Sequence, residues 1–151
     1  MATPTEFSQI YRLFLNSISN DYRLKQLFED APKVANDLLN TWLVKAMAKF
    51  VDCKYDLGKV SDTQTETFSV DLSLTEQVIL SDLMLLEWME YNINNIVQMN
   101  LSVQDRDFKT HAEERNLSGK VEYHDKLREK VYHEMSEYTK QLYPISSWGL
   151  G

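Results

Sequence analysis

Several things are scarce in this chain, and each scarcity excludes something. There is one cysteine, Cys53, so no disulfide can form within the chain and synthesis in a reducing compartment is expected. Four glycines and three prolines in 151 residues are too few for a turn-rich all-β fold. Basic residues are outnumbered by acidic ones, 16 to 23, for a net charge of −7. A surface that grips DNA needs the opposite balance, because lysine and arginine must neutralise phosphates. A duct that DNA only passes through does not, since an acidic wall keeps DNA from sticking. Long apolar runs are also missing: the richest, VILSDLMLLEWM, is interrupted by Asp82 and Glu87 and is too short and too charged to span a bilayer. The opening MATPTEFSQ has neither the basic nor the apolar region of a signal peptide.

What is present is helical patterning. With 43% hydrophobic and 26% charged residues, the chain can bury one core in a single domain. Phe7, Ile10, Tyr11, Phe14, Leu15 and Ile18 recur at helical spacing. Thr3 is the expected cap of that helix, with Pro4 at its first position and Glu6 completing a capping box. Tyr22, Leu24, Leu27 and Phe28 are anchors of a short helical turn. A second helix is expected to begin near Asp30, as cap, and Pro32. Its inward positions are Val34, Leu38, Trp42, Ala46 and Phe50, with Leu39, Leu43 and Met47 beside them, a stripe wide enough to meet more than one neighbour.

Residues 54–72 break this pattern. Tyr55, Leu57 and Val60 are followed by the polar stretch SDTQTET, and then Phe68, Val70 and Leu72 alternate with polar residues, the period of a half-buried strand. An extended excursion, a loose hairpin or a plain surface loop all satisfy this. Ser73 and Glu76 then form a second capping box, opening a helix with apolar residues on nearly every side, from Val78 to Val97. That makes it the central buried helix, fraying within the Asn-rich residues 92–100. The next polar, weakly patterned segment leads to a last helix over residues 120–143. Val121, Leu127, Val131, Met135, Tyr138 and Leu142 form a narrow seam on it, which suits a helix leaning on the core by one edge, its other edge solvated or held by another subunit. The expected fold is mainly α: a bundle of about four helices over residues 1–143, followed by an extended C-terminal arm over residues 144–151.

Residues that carry chemistry are hard to find. His111, His124 and His133 are preceded three positions earlier by Phe108, Val121 and Lys130, so the Glu-x-x-His spacing of di-iron bundles is absent, as is His-Glu-x-x-His. The glycines are dispersed and make no phosphate loop. Cys53 lies just beyond an apolar helix end and reads as a buried thiol. Glu87 and Glu90 read as the solvated edge of a helix, and Trp42 and Trp88 as core anchors. No enzyme, cofactor or metal is expected.

The tail is different. Pro144 ends the last helix, and ISSWGLG follows with Ile145, Trp148 and Leu150. These residues either fold back on the last helices or form an arm, with Tyr143 at its base, that inserts Trp148 into a partner's pocket.

Four stretches carry a resemblance over most of the chain: FSQIYRLFLNSI, LLNTWLVKAMAKF with the acidic excursion after it, TFSVDLSLTEQVILSDLMLLEWM, and DFKTHAEERNL leading into a charged, Tyr-bearing helix. Together they resemble small helical proteins encoded among the head and neck genes of tailed bacteriophages of Gram-positive hosts. The resemblance implies a head–tail connector (adaptor) subunit. Such subunits form a ring of copies beneath the portal protein, seat a downstream neck or tail protein and extend the channel through which DNA passes without sequence-specific binding. It implies synthesis in the host cytoplasm, residence in the neck of the virion and no membrane partner, with the seam of the last helix as a candidate subunit interface and the arm as the grip on the portal. A tail-completion protein or tail-assembly chaperone shares the same composition, and a helical regulatory module with a docking tail is a further reading.

Overall fold

The computed structural model describes residues 3–18, 22–102 and 107–143, without the side chains of residues 22–23, 96–102 and 107–116. Among the described residues the protein is mainly helical: α1 (Phe7–Ser17), α2 (Tyr22–Asp30), α3 (Pro32–Lys49), α4 (Leu57–Val60), α5 (Leu74–Ser102) and α6 (Asp107–Leu142), with one hairpin of β1 (Ser61–Asp62) and β2 (Thr67–Phe68) between α4 and α5. The expected anchors Tyr22, Ile96 and Val97, and His111, lie outside the described side chains. The arm residues Pro144, Ile145, Trp148 and Leu150 lie outside the described residues altogether.

The expected central helix is α5, which packs against α1, α3 and α6. Ile79, Leu80, Leu83, Met84, Leu85, Leu86 and Met89 are buried around nearly its whole circumference. Helix α1 brings Phe7, Ile10, Tyr11 and Phe14 to it. Trp42 of α3 lies between Phe14 and Tyr91, with ring centroids 5.7 and 5.8 Å away. Trp88, expected in the core, is only partly buried at its edge.

Helix boundaries moved wherever tertiary contacts competed with a local signal. Helix α1 starts at Phe7 rather than Pro4, and its capping box is Glu6 with Gln9. Residues 3–6 are extended instead, because they pair with the excursion: the Thr5 N–H donates to Val70 O (3.0 Å), the Phe68 N–H donates to Thr5 O (2.8 Å), and Glu6 bridges Thr67. Asp30 closes α2 instead of capping α3, which starts from Ala31 with Pro32 in its first turn. The buried face of α3 is Ala35, Leu39, Trp42, Leu43, Ala46 and Met47, so Val34 faces outward, 52% exposed, and Val44 with it. Helix α5 continues to Ser102 without the expected break, and α6 begins at Asp107 rather than near Lys120. No proline occurs between Pro32 and Pro144 to stop either helix, and a Cβ at Gly119 would meet nothing within 4 Å.

The excursion takes the hairpin form, with Ser61 opposite Phe68 and Asp62 opposite Thr67; Leu57 and Val60 belong to the short helix before it. The hairpin is too short to stand alone. Phe68 is buried with its ring 4.9 Å from that of Phe7. Glu66, held at φ 55°, accepts hydrogen bonds from Asn36 Nδ2 (2.8 Å) and Tyr11 Oη (3.4 Å). One strained residue thereby ties the excursion to both α1 and α3. Burial, reinforced by the charge of Glu66, pushes the Tyr11 phenol well above its ordinary pKa.

Trp42→Ala is expected to destabilise the domain by about 3–5 kcal/mol, because it empties a site between three helices. Val34→Ala and Val44→Ala should each stay within about 0.5 kcal/mol, as surface substitutions do. Urea denaturation of the three variants checks the orientation of α3.

Candidate functional site

The seam and the ends of α6 contain the residues singled out by sequence, so α6 is the candidate site. The helix has 36 residues, roughly 54 Å at 1.5 Å per residue, and among the described residues a seam and three polar contacts join it to the rest of the molecule. Leu127, Val131, Met135 and Tyr138 are buried in the chain's own core, and Leu142 packs partly buried against it. Within the chain, the seam therefore faces α5 and is covered. Val121, expected on the same seam, is 39% exposed because it lies about a quarter-turn from the buried line. Tyr132 and Tyr143, at 57% and 55% exposure, share its side of the helix, since eleven-residue spacing is close to three full turns. The result is an outward row, Val121, Tyr132 and Tyr143, that ends just before Pro144.

The first polar contact is built on the cap of α5. Glu76 Oε1 accepts the Ser73 N–H (2.7 Å), and Ser73 Oγ accepts the Glu76 N–H (3.2 Å). This is the capping box expected from the sequence. The carboxylate is nevertheless buried, 4% exposed. Its second oxygen accepts the Tyr138 hydroxyl at 2.7 Å and faces Cys53 Sγ at 3.7 Å. The Tyr138 oxygen in turn accepts the Lys54 N–H at 2.9 Å, and its ring stands edge-on to Phe50 at 5.2 Å. The positive end of the α5 dipole favours a carboxylate at this position. One buried carboxylate thus joins the start of α5, the turn after α3 and the last turns of α6. Burial and the bond to Glu76 push the Tyr138 phenol far above its ordinary pKa, and burial raises the Cys53 thiol.

The second contact overturns the expectation for Glu87, which is buried rather than solvated. It pairs with Lys49 of α3. Lys49 also lies 3.8 Å from Glu90, whose Oε1 is 3.2 Å from His124 Nε2 of α6. His124 Nδ1 is 3.5 Å from Asp125. Polar side chains therefore link α3, α5 and α6 in one line. In the third contact, Asp82 of α5 meets Glu134 of α6.

Sequence reading missed the Glu76–Tyr138, Glu87–Lys49 and Asp82–Glu134 pairings. Each partner lies tens of residues away, and no local spacing encodes it. The one available signal was acidic residues inside the most apolar run, where Asp82 and Glu87 need partners if the helix is central.

Elsewhere, a shallow polar groove of about 640 Å³ follows α4 and the hairpin, lined by Gly58, Lys59, Asp62, Gln64, Thr67 and Ser69 among others. It gathers no convergent acid–base set. Among the described residues no group of three or more His, Cys, Asp and Glu side chains could hold a metal ion, and no helix is long and apolar enough to cross a membrane. No protein-family model matches the sequence, and no curated protein and no solved structure shows significant similarity to it.

Tyr138→Phe should cost about 1–3 kcal/mol, because Glu76 Oε2 and the Lys54 N–H lose their shared partner while the ring still fills its place. Thermal denaturation followed by circular dichroism reads this directly. At pH 7 the Cys53 thiol should react with a disulfide reagent several-fold more slowly than a free cysteine, because less of it is thiolate. Unfolding in urea should remove that difference.

Proposed function

We propose that this chain is a structural, non-catalytic subunit of a tailed-phage virion: a head–tail connector that joins the portal to the next neck or tail protein and extends the DNA channel. The observation that carries the reading is the division of α6 into two surfaces. Its seam is covered by the chain's own core, while Val121, Tyr132 and Tyr143 form a row that faces outward and leads into the Trp-bearing segment after Pro144. Tyrosine and tryptophan are over-represented among residues that dominate binding energy at protein interfaces, because they bring large area with few rotatable bonds. An outward row continuous with such a segment suits a protein whose task is to be held by neighbours. The resemblance to phage neck proteins supplies the kind of neighbour, and the mainly helical fold is the one that resemblance calls for.

Subunit contacts in this reading belong to the outer row of α6 and to residues 144–151 rather than to the Leu127, Val131, Met135 and Tyr138 seam. The net charge of −7 fits a channel wall that DNA passes without adhering, since adhesion requires phosphate neutralisation. The subunit would be made in the host cytoplasm and remain in the neck of the finished particle.

The test is the native mass of the purified protein, alone and mixed with portal and neck proteins of the same phage. A ring of copies should assemble on the portal. Removing residues 144–151 should abolish that assembly while leaving helix content and melting temperature almost unchanged. A chain that binds tail proteins but is absent from finished virions would instead be a tail-assembly chaperone. One that ignores every portal, neck and tail protein would be a helical interaction module of another kind.

A further inference from the structure

The third contact of α6 differs chemically from the other two. Glu134 Oε2 is buried, and no hydrogen-bond donor faces it among the described residues. What faces Glu134 is a second carboxyl, that of Asp82 on α5, close enough for a hydrogen bond between the two side chains. Two ionised carboxylates are acceptors only and repel each other; a bond between them requires a proton on one. Lys130 lies 3.8 Å from the other oxygen of Glu134, on the same helix and largely in solvent, so it offsets part of the charge without supplying the missing donor. The charged groups that act on Asp82 are Glu134 and Lys130, both from α6. Among the described residues, Lys49 of α3 is engaged with Glu87 and Glu90, and Tyr11 of α1 is directed to Glu66.

We propose that Asp82 and Glu134 form a proton-operated clasp between α5 and α6, closed while one proton is shared by the two carboxyls and open once that proton leaves. The clasp is placed to matter. Glu134 stands one turn before Tyr138, which is fastened to Glu76, and two residues after Tyr132 of the outward row. Opening it loosens the half of α6 that carries Tyr132 and Tyr143, while Leu127 and His124 hold the first described half.

The direction follows from the partial burial of Asp82. Burial first, and then the neighbouring carboxyl of Glu134, raises Asp82 to about 7. A folded-state value above the unfolded one means that the protonated form is the one favoured by folding. Its stabilisation is complete below the ordinary carboxylate range near 4 and is lost as pH rises through about 7.

Amide hydrogen exchange measured at pH 5.5 and 8.5, referenced to the intrinsic exchange of an unstructured chain, tests the clasp in the full-length protein. Protection of the α6 amides from residue 130 to 142 should fall by about tenfold or more at the higher pH, a factor that corresponds to roughly one unit of pKa. The amides of α1 and α3 should hold theirs. Asp82→Asn keeps the shape and supplies a permanent donor to Glu134, and Glu134→Gln does the same for Asp82. Each should abolish the α6 step and keep the helix protected at pH 8.5. Equal α6 protection at both pH values in the unmodified protein overturns the proposal. So does a step that persists in either variant, or a loss spread evenly over α1, α3 and α6, which would report overall unfolding instead of a local clasp.

Discussion

The buried carboxylate of Glu76 is the interaction on which the arrangement of the long helices depends. A carboxylate is removed from water only when its lone pairs are satisfied and a positive field offsets its charge. Here the Ser73 N–H, the Tyr138 hydroxyl and the exposed N–H groups at the start of α5 do both. Because these donors come from separate parts of the chain, satisfying one group places three elements at once. The start of α5 is fixed by its cap, the C-terminal turns of α6 are set beside that start by Tyr138, and the turn after α3 is drawn in by Lys54. Hydrophobic burial supplies most of the driving force, but it is not directional. The register of α6 along α5 is set by this polar point.

From that register comes the division of α6 that the functional reading uses. With Tyr138 turned inward, Leu127, Val131 and Met135 must also face α5, and Val121, Tyr132 and Tyr143 are carried outward by the same 3.6-residue period. A helix of this length has more circumference than a single neighbour can cover. The line Lys49–Glu87–Glu90–His124 then closes the side of α5 shared with α3. The half-exposed positions of Lys49 and Glu90 make that line a rim, and Glu87 is the one member that requires its partner.

Legibility in the sequence followed the range of the signals. The helical class, the inward face of α1, the buried nature of α5 and the Ser73–Glu76 cap were all readable, because period and capping act within a few residues. The boundaries that failed did so where distant groups competed. Thr3 and Pro4 make an adequate helix start, yet Thr5 is taken by Val70 and Phe68, so the cap shifts to Glu6 and the helix begins at Phe7. The inward face of α3 was read correctly from Leu39 to Phe50 and failed at its first turns, where Ala35 takes the buried place expected of Val34 and Leu38 is only partly buried. The polar stretch before residue 120 lacks an apolar stripe, and α6 extends through it all the same. For the candidate site, the seam was visible as a pattern, but the side it faces was not, since a narrow stripe looks the same whether its cover is α5 or another molecule.

The pairing of residues 3–6 with the hairpin has a consequence for how the chain must fold. Thr5 Oγ1 accepts the Leu72 N–H at 2.8 Å, which ties together two segments 67 residues apart in the chain. During synthesis α1 can form as soon as it emerges, but its leading segment has no partner until the hairpin has followed it out. Closing such a loop costs entropy before any contact rewards it. The hairpin is too short to wait as a stable unit, so the two segments must order together. The segment leading into α1 is therefore completed late, and its ordering depends on a hairpin that sits almost at the middle of the chain.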